Sequence, residues 1–367
     1  LDGDTGGAGP TGLVYDPENG FAYGVDFGDN SVLVINVSSG AYVTNLSVGG
    51  GPDTLAYDAI DRLLFVGNSQ YSSVTIIDTT TNTIVVGQIK LGGTPGNPNS
   101  YPHPSCMVYD PQNGFVYVGN AGTQNTTLIN ASKHDIEAGS NLSTGDCLSM
   151  VYDPANGHVY VGSFAARIAD INGTSLAGFG VYDPVWPAGL SYDLRNNLVY
   201  AANSGDQTIT SFDGTTERVV QQRLPLTETF LRSMFDPLSG ETYVATPDPG
   251  FLCSTPGTLT VVNSTSLPGI LTSIPVGFGP EASIVASSSG NVFVANACSG
   301  NVTVIDGATN RVVLAGVPVG AYPIALGYDS IHDRVVVANA FSQNLTILNG
   351  STGTVVVANV SVGSVPD

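Results

Sequence analysis

Lysine is almost missing. Lys90 and Lys133 are the only two in 367 residues, and the whole basic complement is 10 against 30 carboxylates, a net charge of −20. Such a surface repels nucleic acid and anionic membranes, so neither is expected as a partner. Charge of either sign is scarce as well, at 11% of residues. A halophile surface would carry many more carboxylates, so the composition fits a glycosylated exterior or an acidic medium. No run of 18 apolar residues occurs, which excludes a helical membrane span. GxSxG, HExxH and phosphate-loop patterns are absent, so no hydrolase, metalloprotease or nucleotide motif announces itself. The sequence starts Leu1-Asp2-Gly3-Asp4 with neither initiator Met nor signal peptide, so a processed or excised N-terminus is expected.

What the chain has is glycine (45), proline (22) and a repeat. Its anchor is Gly-Pro-x-x-L-x-Tyr-Asp-Pro-x-Asn-Gly, clearest in GPTGLVYDPENG around Tyr15. The later anchors are Tyr57, Tyr109, Tyr152, Tyr192, Phe235, Val285 and Tyr328, spaced 42, 52, 43, 40, 43, 50 and 43 residues apart. Each anchor has turn chemistry: Asp bonds to nearby backbone, Pro fixes φ, and Asn-Gly accepts positive φ. LVYDPENGFAYGV and CMVYDPQNGFVYVGN therefore read as hairpins. A third strand such as SVTIID follows, and then a fourth that ends in Val-Gly. Units of this period and composition predict an all-β fold, a β-propeller of eight blades with four antiparallel strands each. The repeats run 9–51, 52–92, 104–144, 145–181, 185–226, 229–277, 278–320 and 321–363, within one domain over 1–367. No Gly-His or Trp-Asp landmark of a WD40 ring occurs, and a sandwich would not repeat so regularly.

The stretch VFVANACSGNVTVIDGATNRVVLAGVPVG resembles the YVTN β-propeller repeat of archaeal surface-layer-type proteins. FVYVGNAGTQNTTLIN, LVYAANSGDQTITSFDGTTERVV and VVVANAFSQNLTILNGSTGTVVV resemble it less closely. The resemblance covers nearly the whole chain and implies a propeller and an archaeal source. Seven blades are common among such proteins, so seven is the alternative count. It says little about activity, because propellers host unrelated functions.

In a ring of this kind strand one lines the channel and strand four is outermost. The loops that lead into strand one and those between strands two and three share a face, here the top. Two insertions reach it, GGTPGNPNSYPHPS (92–105) and TPDPGFLCSTPG (246–257). Insertions on one face of a repeat ring mark a binding face. Tyr101, His103, Phe251 and the lone Trp186 are therefore the candidate ligand contacts, with Trp186 either stacking on a ligand or plugging the channel mouth. The chain closes on VSVGSVPD, which copies LSVGGGPD at 46–53, and no swapped strand is expected to join blade eight to blade one.

Cys253 and Cys298 occupy equivalent loops of repeats six and seven, and Cys106 and Cys147 equivalent channel-mouth positions of repeats three and four. Neighbouring blades bring such positions within disulfide reach, which points to an oxidising compartment; four buried free thiols are the alternative. No CxxC or paired histidine accompanies them, so no zinc site is expected. The histidines His103, His134, His158 and His332 fall at non-equivalent positions and read as scattered. The Asp that follows most anchors reads as a turn cap rather than a ligand. Asp2 with Asp4, and Asp26 with Asp29, lack EF-hand spacing.

Eleven Asn-x-Ser/Thr sequons recur at repeat-equivalent places. Asn36, Asn130, Asn172, Asn263 and Asn349 end strand three; Asn125, Asn301 and Asn344 open it; Asn45, Asn141 and Asn359 lie in strand four. A glycan on that outer edge would block strand-to-strand aggregation. Duplication of one Asn-rich unit would also multiply sequons by chance. The sequence thus predicts a secreted or cell-surface glycoprotein without cofactor or enzymatic activity, a structural or adhesive module such as a unit of a surface layer, sheath or filament. Its expected partners are other copies of itself or other surface proteins, and glycans. A carbohydrate- or peptide-binding module is the alternative, and a propeller lyase or hydrolase a weaker one. In an acidic habitat the carboxylates would be protonated and the negative charge would vanish.

Overall fold

A computed structural model describes residues 10–92, 101–138, 141–164, 167–173, 175, 178–180, 186–226, 232–246, 253–263 and 269–361. They form eight four-stranded antiparallel sheets, each taking its strands in sequence order. The sheets span 10–47, 52–90, 104–136, 147–180, 187–225, 232–275, 280–318 and 323–361, one per repeat. Each strand one packs on strand one of the next blade, and blade eight packs on blade one in the same way. The protein is an eight-bladed β-propeller.

The anchor turns fold as their chemistry dictates. Asp16 Oδ1 accepts the Glu18 N–H at 2.9 Å, and Asp58, Asp110, Asp153, Asp193, Asp236 and Asp329 cap the same turn in their own blades. All seven carboxylates are buried. The turn closes through a left-handed residue, Gly20 at φ 75° in blade one.

Strands two and three lie between two neighbouring sheets and are covered on both faces. All six residues of Leu63–Asn68 are buried, which is why these strands read as continuous apolar runs rather than alternating ones. Strand four has only one covered face, and Thr83–Lys90 is mostly exposed. Among the described residues the core falls into eight clusters, one at each blade interface. The cluster of Ala22, Leu33 and Ile35 with Val336, Ala338 and Ile347 closes the ring. Among the described residues the seam carries no exchanged strand: all four strands of blade one are consecutive in the chain.

Polar groups also face one another across these interfaces, where the Tyr15, Tyr57 and Tyr152 hydroxyls complete no hydrogen bond. The hydroxyls of Tyr15, Tyr57, Tyr109, Tyr152 and Tyr192 face Asp329, Asp16, Asp58, Asp110 and Asp153, the anchor carboxylate of the preceding blade. Burial first and these carboxylates second raise the phenol pKa values, that of Tyr57 to about 12. Blades six and seven place Phe235 and Val285 at this position and lack the hydroxyl.

The expected strand four is cut short in blade three. It holds only Asp135–Ile136, and Leu142 returns as an isolated bridge to Thr126. Asn141 consequently lies outside the strand predicted to contain it. The intervening sequence, EAGSN, has no β-branched or aromatic residue to hold an outer strand. Blade four ends similarly in the three residues Gly178–Gly180, two of them glycine.

Candidate functional site

Strands one enclose a central cavity of about 560 Å³, lined by residues such as Leu13, Leu55, Met107, Met150, Leu190 and Leu326. Asp53 is the one carboxylate among the residues that line it. The walls are otherwise apolar or small.

Above the cavity, each loop that leads into strand one is pinned to the strand two–three loop of its own blade. The N–H of Ser69, Ala121, Ser204, Ala297 and Ala340 donates to the carbonyl of Gly51, His103, Trp186, Gly279 and Tyr322, respectively. Those five acceptor residues all adopt left-handed backbone, with φ of 63°, 50°, 57°, 62° and 59°. Glycine meets that demand without cost in two blades. His103, Trp186 and Tyr322 meet it against the sterics of a large side chain, on the order of 1 kcal/mol or more each.

Each of the three bulky residues faces a second aromatic ring. Tyr101 and His103 meet edge-on at 6.3 Å, Phe164 and Trp186 edge-on at 6.1 Å, and Tyr322 stacks on Phe341 at 4.1 Å. Tyr101, Phe164, Trp186 and Phe341 remain 40–54% exposed, and Tyr71 joins them on the same face at 62%. The result is an aromatic arc over the top of blades eight and two to five. Trp186 is half-exposed and absent from the cavity lining, so it does not plug the channel. Phe251, like residues 93–100 and 247–252 of the two insertions, lies outside the described residues.

The cysteines pair across blade interfaces as their positions predicted. Cys106 and Cys147 have Cα atoms 6.2 Å apart between blades three and four, and Cys253 and Cys298 lie 5.7 Å apart between blades six and seven. Both spacings are ordinary for disulfides. A Cβ on Gly119 would come within 2.5 Å of Cys106 Sγ, so only glycine fits beneath the first bridge. Two bridges fit an oxidising compartment. Among the described residues no helix is long and apolar enough to cross a membrane.

None of the eleven sequon asparagines is buried. Five other asparagines, Asn68, Asn120, Asn203, Asn296 and Asn339, are fully buried at the end of strand two. Their amides donate to hydroxyl oxygens in strand three, as Asn296 does to Thr303 at 2.9 Å. None of these five begins an Asn-x-Ser/Thr triplet.

His332 lies in a bottom turn as expected, whereas His158 does not stand by itself. His332 Nδ1 lies 2.7 Å from Asp329, within a bottom turn. His158 Nδ1 lies 2.9 Å from Asp170 Oδ1, and Glu217 from the next blade completes a group of three. Burial is the main cause that pushes the Asp170 carboxyl up to about 7, with Glu217 adding to it and His158 opposing it. Asp26 caps its own loop through the N–H groups of Gly28 and Asp29. Asp2 and Asp4 lie outside the described residues.

No family model and no curated protein matches the chain. Solved structures match over most of its length. Kuenenia stuttgartiensis hydrazine synthase aligns with 95% of this chain and 98% of its own at 15% identity, with a TM-score of 0.65. The computationally designed Ika8 protein aligns with 93% of this chain and 96% of its own at 14% identity and a TM-score of 0.69. The dihydro-heme d1 dehydrogenase NirN aligns with 94% of this chain and 74% of its own at 13% identity and a TM-score of 0.68. Two of these are enzymes by name. At such identities the likeness is one of fold.

Proposed function

We propose that this chain is a secreted or cell-surface, N-glycosylated propeller of the YVTN-repeat kind that serves as a structural and adhesive module. The observation that carries the reading is the division of its asparagines: all eleven in sequons are accessible, and the five built into the fold are not in sequons. Disulfide-spaced cysteines at two blade interfaces support it. The test is the intact mass of protein isolated from its own organism, before and after deglycosylation and reduction. Sugar-sized losses and four thiols released only by reductant are expected; an unmodified chain with free thiols would overturn the reading.

The top face favours carbohydrate as what such a module adheres to. Exposed aromatic rings held at a strained backbone position, with little charge between them, suit the apolar faces of sugar rings. Binding to a glycan array that is lost in Trp186→Ala is the expected result. A propeller lyase or hydrolase has less support, since Asp53 is the one carboxylate among the described residues that line the cavity.

A further inference from the structure

We propose that His158, Asp170 and Glu217 form a binding site for a first-row divalent transition metal ion such as Zn²⁺, joining blades four and five on the bottom half of the ring. One donor atom from each lies within 4.8 Å of the others. His158 opens strand two of blade four and Asp170 sits in the middle of its strand three. Glu217 reaches them from the strand three–four turn of blade five.

The repeat singles out Asp170 and Glu217; at the His158 position blades six to eight also carry polar residues, Glu241, Asn291 and Arg334. The positions equivalent to Asp170 hold Val34, Ile76, Leu128, Ser211, Val261, Val304 and Ile347, all buried and none charged. His158 stands where blades one, two, three and five have Phe21, Leu63, Phe115 and Leu198. Glu217 takes a left-handed position, at φ 57°, that other blades fill with Asn82, Asn310, His134 or glycine. Where blades six and seven meet at this level, Asn310 donates its amide to Glu241 at 2.9 Å and the contact is satisfied without an ion. Two departures from the repeat and a histidine, on three separate segments, converge on one point.

The donor set selects the ion. An imidazole nitrogen beside two carboxylate oxygens suits zinc or manganese, whereas Ca²⁺ and Mg²⁺ prefer oxygen alone. The Asn172 amide donates to His158 Nε2 at 2.9 Å, so the ion-free ring carries its proton on Nδ1 towards Asp170. An ion at Nδ1 displaces that proton, and the Asn172 amide must then turn its oxygen to the ring. Asp170 is 1% exposed and the His158 side chain 15%, so two donors are shielded while Glu217 leaves an approach from solvent.

The site borders the sequon asparagine Asn172, so it is tested on protein that carries no sugar, independently of the glycan reading. Full-length protein stripped with chelator is titrated with Zn²⁺, and with Mg²⁺ as control, by calorimetry and metal analysis. One equivalent of Zn²⁺ and a raised melting temperature are expected. His158→Phe, Asp170→Val and Glu217→Asn each restore a residue that the repeat uses elsewhere, so they should keep the wild-type circular dichroism. Each should weaken Zn²⁺ binding at least tenfold. No Zn²⁺ uptake by the wild type, or undiminished uptake by variants that fold, would overturn the proposal.

Discussion

Replacing Cys253 and Cys298 together with serine should expose how much the ring depends on its covalent ties. The bridge closes a separation of 45 residues, for which the chain-entropy relation gives about 4 kcal/mol at 25 °C. The interface it spans keeps the Asn310–Glu241 and Tyr243–Asn310 hydrogen bonds but lacks the anchor hydroxyl, because Val285 cannot set one against Asp236 as Tyr57 does against Asp16. Spread over a cooperative unfolding entropy of roughly 2.1 cal/mol/K per residue, that loss lowers the melting temperature by about 5 °C. Scanning calorimetry of the double variant against oxidised wild type measures it. Reductant should lower the wild type further, since it also opens Cys106–Cys147, and should leave the double variant with only that second loss. An unchanged midpoint in the double variant, with the wild-type bridge verified by mass, would refute the entropic argument.

Alkali should unfold the ring early. Tyr57 and its equivalents have pKa values raised above 10, so their neutral forms stabilise the fold below pH 10 and that contribution is lost as pH climbs through about 12. Tyr57→Phe should cost less than about 1 kcal/mol near neutrality in denaturant melts, because the hydroxyl completes no hydrogen bond, and should blunt the alkaline fall. On the top face, Trp186→Gly should remove sugar binding while raising stability slightly, because glycine relieves the left-handed backbone. An equal loss of stability and binding would count against a recognition role. At the rim, Val312 and Val313 are exposed on the outermost strand of blade seven, which carries no sequon. Val313→Lys should reduce self-association in sedimentation runs, and an unaltered profile would remove that edge from the assembly surface.

Much of the architecture was legible because one turn carries it. Asp, Pro, Asn and Gly at fixed offsets set each hairpin, and eight copies set the blade count. The cysteine pairs followed, since equivalent positions in neighbouring blades must approach one another. The aromatic arc was legible only in part. Trp186, Tyr101 and His103 stood out by type, but Tyr322 did not, although His103, Trp186 and Tyr322 all replace the glycine of the anchor's Gly-Pro. What unites them is a backbone angle, which composition does not report. The group at His158 was missed because its members come from different columns of the repeat. Asp170 in an otherwise uncharged column was the signal available. The short strand in blade three was hidden by counting to a period rather than asking what would hold each outer strand.

The closure between blades eight and one has a mechanical consequence. Among the described residues no ladder of backbone hydrogen bonds crosses that seam; side-chain packing holds it, with the Tyr15 hydroxyl facing Asp329. Tension applied at the two ends would part the ring there and peel blades from both sides. Peeling from the front would meet the Cys106–Cys147 bridge after two blades, and from the back the Cys253–Cys298 bridge after one. Each bridge withholds its loop from extension, about 140 Å for the 41-residue separation of the first. A pulled molecule would thus lengthen in unequal, ordered steps, and adding a reductant would release the withheld lengths.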